Sequence, residues 1–165
     1  MGIFDRFKPK KTEDVDDTMY LTLREERAIT KENTRIIKEF ERAKNRKNVP
    51  EEEYLTQMKD PSNVVEFDNL HTYFFTEVGT LKAVNGVTFD IPQGKIVGVV
   101  GESGCGKSVT SLSLMQLVQG PQGQIVDGSI RYKASDGKCY DITKMPKDRM
   151  LEIRGKELAM IFQEP

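Results

Sequence analysis

The chain has 165 residues, about the length of one ordinary domain. Its formal net charge of -1 argues against a nucleic-acid binder, because affinity for a phosphate backbone needs a surplus of Lys and Arg. The longest uncharged run, 108–126, contains Ser, Gln, Gly and Pro and does not resemble a membrane span. Two cysteines and one histidine give neither a disulfide framework nor metal-ligand spacing, and we expect a cytosolic chain.

The charge density divides the chain near residue 62. Residues 1–62 hold 14 basic and 14 acidic residues, whereas the remaining 103 residues hold 11 and 12. Glycine has the opposite distribution, since 12 of the 13 glycines follow residue 62. We therefore predict a charged, mostly helical N-terminal extension over residues 1–62 and a separate domain from residue 63.

Two helices are predicted in the extension. Residues 19–46 place Ile29, Ile36, Ile37, Phe40 and Ala43 at near-helical spacing among charges of both signs. A second helix is predicted over 50–58, with Pro at its first position and three glutamates in its first turn. The arm is either a solvated helix packed weakly on the domain or a docking arm for a partner subunit.

From residue 63 the pattern changes to strands. We predict β structure over 64–67, on through Phe75, and over 81–91. Residues 95–100, KIVGVV, form a continuous apolar run that is typical of a strand buried on both faces in a parallel sheet. A glycine-rich loop and a mostly apolar helix over 107–118 follow. The predicted order is strand, glycine loop, buried helix.

The loop matches the phosphate-binding pattern G-x-x-x-x-G-K-[ST] in full, as Gly101-Glu102-Ser103-Gly104-Cys105-Gly106-Lys107-Ser108. Its glycines let the backbone wrap a phosphate, and successive N–H groups at a helix N-terminus attract the anion. Lys107 can reach the terminal phosphates and the Ser108 hydroxyl can ligate Mg²⁺. Cys105 is favoured as a small filler residue, with a reactive thiolate as the alternative. The sequence predicts a nucleoside triphosphate site.

Beyond the loop, the pattern predicts a Gly-rich β segment over 120–140, a short helix over 145–153 and a strand-like run over 158–162. With this ending, IRGKELAMIFQEP, the sequence resembles the ATP-binding subunits of ABC transporters, in particular the oligopeptide and dipeptide importers. The matching residues are GESGCGKS, AVNGVTFDI with PQGKIVGVVGESG, and that ending. The resemblance covers about residues 63–165.

The resemblance implies an α/β P-loop fold and a set of site residues. Nucleotide contacts are expected at Gly101, Ser103, Gly104, Cys105, Gly106, Lys107, Ser108 and Val109. Lys107 and Gln163 are the expected catalytic residues, and Ser108 and Gln163 the expected Mg²⁺ ligands. Gln163 lies at the position of the family's Q-loop glutamine, where it orients water and responds to the membrane partner.

An aromatic side chain that stacks on adenine is also implied, and Phe74 is the best alignment. Tyr73 and Phe75 are close competitors, and period-two geometry places them on the face opposite to Phe74. All three side chains could instead simply pack in the core.

By the same resemblance, ATP binding and hydrolysis drive peptide import at the cytoplasmic face of the membrane. The expected partners are permease subunits, a second ATP-binding subunit and, indirectly, a substrate-binding protein, with no nucleic acid. No signature motif or Asp-Glu strand end occurs, so we expect an N-terminal fragment of an ATP-binding domain that is inactive alone. The alternatives are a soluble ABC-type or other P-loop ATPase for DNA repair or translation, and a non-hydrolysing nucleotide-binding regulatory fragment.

Overall fold

A computed structural model describes residues 21–162 of the chain. In chain order, the elements are α1 (Leu23–Lys44), a 3-10 turn (Glu51–Glu53), β1 (Leu55–Thr56), β2 (Asn63–Thr76), β3 (Gly79–Pro92), α2 (Lys107–Leu114), β4 (Gly123–Lys133), β5 (Cys139–Asp141) and α3 (Lys147–Ile153). None of the helices in this described part is long and apolar enough to cross a membrane.

The strands form one five-stranded sheet in the order β1-β5-β4-β2-β3, and all of its neighbouring pairs are antiparallel. The central strand, β2, pairs along most of its length with β3 on one side and β4 on the other. Phe67 of β2 stands opposite Phe89 and Ile130, and its ring stacks on that of Phe89 with centroids 4.4 Å apart. The alternating apolar side chains of β2 thus build the centre of the core.

The core extends from this sheet to α3. Its buried members include Leu70, Ile130, Tyr140, Ile142 and Met150, each with no exposed area. The helix predicted over 145–153 is present as α3, and it begins after Pro146, which is the N-cap residue. Met150 and Ile153 are its buried residues, so the short helix closes one side of the core.

The helix predicted over 19–46 is confirmed from Leu23 to Lys44, while residues 19 and 20 lie outside the described residues. Thr22 and Glu25 form a capping box that satisfies N–H groups at the helix start. The side chain of Asn33, which is buried, donates to the backbone oxygen of Thr76 at 2.7 Å. Glu41 accepts a hydrogen bond from Gln124 at 2.9 Å, so β2 and β4 both hold this helix.

The helix predicted over 50–58 is wrong. A single 3-10 turn at Glu51–Glu53 is followed by β1, which pairs with β5. The carboxylate of Glu51 contacts Lys138 Nζ at 2.9 Å and the Tyr140 hydroxyl at 2.9 Å. These contacts, together with strand pairing, outweigh the local preference of the Pro-Glu sequence for a helix, because helical propensity is only a weak tendency.

The buried parallel strand predicted over 95–100 is also wrong. The segment has no strand structure, and the side chains of Ile96 and Val100 are 100% and 91% exposed. A strand buried on both faces needs neighbours that accept its backbone hydrogen bonds. Within residues 21–162 no strand pairs with this segment, so no sheet covers its apolar side chains.

Two further predicted elements are shorter in the structure than the sequence pattern indicates. The helix predicted over 107–118 ends at Leu114, because the backbone reverses at Gln116, which has a φ of 49°. The strand-like run predicted over 158–162 makes only one bridge, between Leu158 and Arg154, and its remaining described residues have no regular structure.

Candidate functional site: a phosphate-binding loop

The glycine-rich loop leads directly into α2, as the sequence predicts. Gly106 is the N-cap residue, with φ 93° and ψ -1°, and Lys107 and Ser108 are the first residues of the helix. The first N–H groups of any α-helix have no intrahelical acceptors and carry partial positive charge. The loop therefore ends where the backbone itself offers donors to an anion.

Gly106 rests directly on the backbone of β3. A Cβ atom at this position would overlap the carbonyl oxygen of Ala83 and lie 3.5 Å from Val84 Cγ2. The positive φ and this close approach both require glycine. The contact with β3 thus fixes the position of Gly106, where the loop ends and α2 begins. The motif alone does not reveal this role of β3.

Lys107 turns its side chain back over the loop. Its Nζ donates to the carbonyl oxygens of Gly101 at 2.8 Å and Glu102 at 2.7 Å, and it lies 3.6 Å from Cys105 Sγ. The ammonium is therefore held beside the loop backbone by neutral acceptors. Oxygens of a phosphate group are stronger acceptors for an ammonium group than carbonyl oxygens, because they are charged.

The remaining loop side chains are accessible. Ser103, Cys105 and Ser108 are exposed, and Val109 is partly buried against the core. Cys105 is a free thiol. The loop brings together the expected contacts at 101–109, with the Ser108 hydroxyl open to solvent at the helix start.

Polar contacts hold α2 on the sheet. Buried Ser113 donates to the backbone oxygen of Val109 at 2.7 Å, and its hydroxyl lies 2.8 Å from that of Thr72 in β2. Thr110 donates to the carbonyl oxygen of Gly106 at 3.0 Å. From the sequence pattern alone, these helical positions are expected only to pack against the core. In the structure the Ser113 hydroxyl also links α2 to the central strand, β2.

The other end of α2 is fixed by residues that sequence reasoning missed. Arg154 donates from Nε to the carbonyl oxygen of Met115 at 2.7 Å and from Nη2 to that of Gln116 at 3.0 Å. The side chain of Gln116 donates to the backbone oxygens of Ile142 and Met145. Since the partners lie 26 to 39 residues apart in sequence, no local pattern reveals them.

The three candidate adenine-stacking aromatics occupy different environments. Phe74 pairs with Leu81 and Gly123, and its ring lies against Gly123, where a Cβ atom would meet it at 2.8 Å. The Tyr73 hydroxyl donates to Asn85 Oδ1 at 2.8 Å. Phe75 is buried, with 4% of its surface exposed. The side chain of Phe74 is partly buried. Phe74 lies two residues after Thr72, which pairs with Val84, the β3 residue beside Gly106.

Gln163 lies outside the described residues, so its position relative to the loop stays a prediction. Among residues 21–162, no group of three or more His, Cys, Asp and Glu side chains could hold a metal ion. The donors present at the loop include the Lys107 ammonium, the exposed hydroxyls of Ser103 and Ser108, and helix N–H groups. This set fits a phosphate anion, and the exposed Ser108 Oγ is an oxygen of the kind that Mg²⁺ takes as a ligand.

A comparison with protein families finds a match for the part of the chain that contains the loop. Residues 84–165 match the family model described as ABC transporter. This match covers the second half of β3, the phosphate-binding loop, α2 and the segments through the end of the chain.

Curated relatives match about two thirds of the chain. The oligopeptide transport ATP-binding protein AppD of Bacillus subtilis is 48% identical over 104 residues, which are 63% of this chain and 30% of the relative. The dipeptide transport ATP-binding protein DppD of Bacillus subtilis is 43% identical over 102 residues, 62% of this chain and 29% of the relative. The glutathione import ATP-binding protein GsiA of Pectobacterium atrosepticum is 43% identical over 108 residues, 66% of this chain and 17% of the relative. The chain spans less than a third of the length of these relatives.

Proposed function

We propose that this chain is part of the ATP-binding subunit of an importer for oligopeptides or dipeptides, because residues 84–165 match the ABC transporter family model. In the whole protein, ATP binding and hydrolysis supply the energy for import. Residues 1–62 form its N-terminal extension, and residues 63–165 form the N-terminal part of the ATP-binding domain.

One observation carries the proposal: the complete Gly101–Ser108 motif stands at the N-terminus of α2 and is seated on β3 through Gly106. A glycine-rich turn without a ligand would need no lysine after it, yet Lys107 Nζ is held back against the loop by two loop carbonyl oxygens. The peptide class comes from the names of the relatives AppD and DppD.

The described residues would bind the triphosphate group in three ways. N–H groups from Gly104 to Ser108 donate to phosphate oxygens, and the dipole of α2 adds to their attraction. Lys107 exchanges its carbonyl acceptors for the terminal phosphates, and Ser108 Oγ ligates Mg²⁺. When bound, Mg²⁺ neutralises charge that develops on the phosphates during transfer.

Two more residues complete the proposed site. Phe74 stacks on the adenine ring, with Tyr73 and Phe75 as the competing candidates. Gln163 contacts Mg²⁺ or the attacking water, and it links the nucleotide to the permease subunits. Two ATP-binding subunits then enclose ATP at the cytoplasmic face of the membrane, and a substrate-binding protein delivers the peptide.

The test is assembly and turnover in the native host. We expect the affinity-tagged protein to co-purify from detergent-solubilised membranes with integral permease subunits, and we expect the complex to release phosphate faster when peptide and its binding protein are added. Lys107→Met should assemble normally but release phosphate at a rate at least tenfold lower, in line with the loss of one charged transition-state contact.

The alternatives give different results. Recovery of the active ATPase only from the soluble fraction, without permease subunits, would support a soluble ABC-type or other P-loop ATPase. Recovery with permeases and bound ATP but without phosphate release would support a non-hydrolysing regulatory role. Either result contradicts the proposed function.

A further inference from the structure

Six basic residues form a stripe along α1, which we call the basic stripe. They are spaced three or four residues apart, as Arg24, Arg27, Lys31, Arg35, Lys38 and Arg42. At 3.6 residues per turn, these positions fall within an arc of about 80° around the helix, and they extend along it for about 27 Å. The spacing therefore places six positive charges in one line.

The basic stripe points away from the rest of the molecule. The opposite side of α1 carries Asn33, which is buried and bonded to the backbone of β2, and the partly buried Ile36 and Phe40. All six side chains of the basic stripe are exposed. Because Asn33 and Glu41 hold the helix to the sheet, its rotation about its own axis is fixed and the stripe faces solvent.

The charges of the basic stripe are not neutralised within the described part of the chain. None of its six members takes part in an ion pair there, although other basic residues do, such as Arg46 with Glu53 and Lys138 with Glu51. Like charges three or four residues apart on a helix repel one another and destabilise it slightly. An anionic partner would remove this repulsion.

The arrangement distinguishes a flat partner from one that surrounds the helix. Glu32 and Glu39 flank the basic stripe on one side and Glu41 on the other, each about a quarter turn or less away. In a nucleic-acid groove these carboxylates would face phosphates on the groove walls. Against a plane, only the six outermost charges come close, and a straight helix touches a plane along its whole length.

We propose that the basic stripe docks α1 on anionic phospholipid headgroups of the membrane, by a lipid contact separate from the permease subunits. The choice of a membrane as the flat surface rests on the proposed transport function. Each Lys or Arg near an anionic leaflet contributes to binding, and the attraction falls off within a Debye length. The apolar side of α1 packs on the protein, so this docking is electrostatic and involves no insertion of apolar side chains.

The test is co-sedimentation of the full chain with vesicles. We expect binding to vesicles with about 30% phosphatidylglycerol in phosphatidylcholine, little binding to pure phosphatidylcholine, and release when salt is raised to about 0.5 M. The variant K31Q/R35Q/K38Q should bind the anionic vesicles at least about tenfold more weakly. Gln is a good helix former, so the fold of α1 is kept.

The matched control is K47Q/K95Q/K156Q, which removes the same amount of charge from exposed lysines outside the basic stripe. Its binding should stay within about twofold of wild type. Equal weakening in both triple variants, or no vesicle binding by wild type, would overturn the proposal. Binding of a 20-base-pair DNA duplex that depends on the basic stripe, without vesicle binding, would also overturn it in favour of a nucleic-acid partner.

ATP binding by the same variants separates this proposal from the proposed function. Both triple variants should bind ATP as wild type does, because neither changes the phosphate-binding loop. Vesicle binding that depends on the basic stripe in a chain that binds no ATP would contradict the proposed function alone. ATP binding without vesicle binding would contradict the lipid contact alone.

Discussion

At the scale of single residues, the position of the phosphate-binding loop depends on Gly106. Its φ of 93° lies in the left-handed region, and the backbone of β3 occupies the space that a side chain would need. Several other glycines have a positive φ but no neighbouring atom in the space of a Cβ. Gly137, for example, has a φ of 84° and no neighbouring atom within 4 Å of a Cβ.

This difference gives a paired prediction. Gly106→Ala should lower the free energy of unfolding by more than about 2 kcal/mol, since it adds a steric overlap to the strain of a left-handed alanine. It should also abolish measurable ATP binding. Gly137→Ala should cost about 1 kcal/mol, from backbone strain alone, and leave ATP binding unchanged. Urea denaturation and nucleotide titration measure both effects.

Equal destabilisation by the two substitutions would contradict the role given to β3. In that case only the backbone angle, and not the contact with Ala83, would require glycine at position 106.

At the scale of elements, local patterns predict some segments and fail for others. Alternating and helical periodicity locate β2, β3, α1 and α3, because each of these elements buries one side against a neighbour that is present. The glycine-rich motif locates the loop and the start of α2, because its backbone requirements are local. The apolar run 95–100 is different, since a strand of this type depends on a neighbouring strand that local sequence does not show.

The same limit applies to long-range polar contacts. Arg154 and Gln116 fix the end of α2 through partners that are distant in sequence. Glu66 is another example: its buried carboxylate accepts from the backbone N–H groups of Lys59 and Asp60, both at 2.8 Å. It thereby ties the segment before β2 to the sheet.

The protonation of Glu66 gives the prediction at this scale. Burial opposes its ionisation, but the N–H groups of Asp60 and Lys59, the Asn63 amide and the charge of Arg131 together lower the pKa of this carboxyl below its usual value of 4.5. A group with a lowered pKa in the folded state stabilises the protein above its unfolded-state pKa. That contribution is lost as pH falls through the folded-state value.

Glu66→Gln should therefore lower the free energy of unfolding by about 2 kcal/mol at pH 7, because the charge-assisted hydrogen bonds are lost. The difference between the two proteins should shrink as pH falls below about 4.5. Urea denaturation at pH 7 and at about pH 3.5 measures it. The exposed Glu32→Gln variant should change stability by less than about 0.5 kcal/mol at either pH, and a difference for Glu66→Gln that does not depend on pH would contradict the role of its charge.

At the scale of the whole molecule, two surfaces that differ in their source of positive charge are carried by the same sheet. The phosphate-binding loop offers backbone N–H groups and one lysine to an anion, in a chain whose net charge is -1. The basic stripe of α1 instead presents six side-chain charges to solvent. The match to the ABC transporter family model begins within β3, so it includes the phosphate-binding loop but not α1.

Equilibrium binding of ATP with Mg²⁺ tests the central claim most directly. The comparison includes wild type, Lys107→Met and Lys47→Met, in which the control substitution removes an exposed lysine outside the loop. We predict saturable binding by wild type and by Lys47→Met, and affinity at least about tenfold lower for Lys107→Met, a loss of about 1.4 kcal/mol. Equal affinity in all three proteins, or no binding by wild type, would contradict the assignment of Gly101–Ser108 as the site that holds ATP.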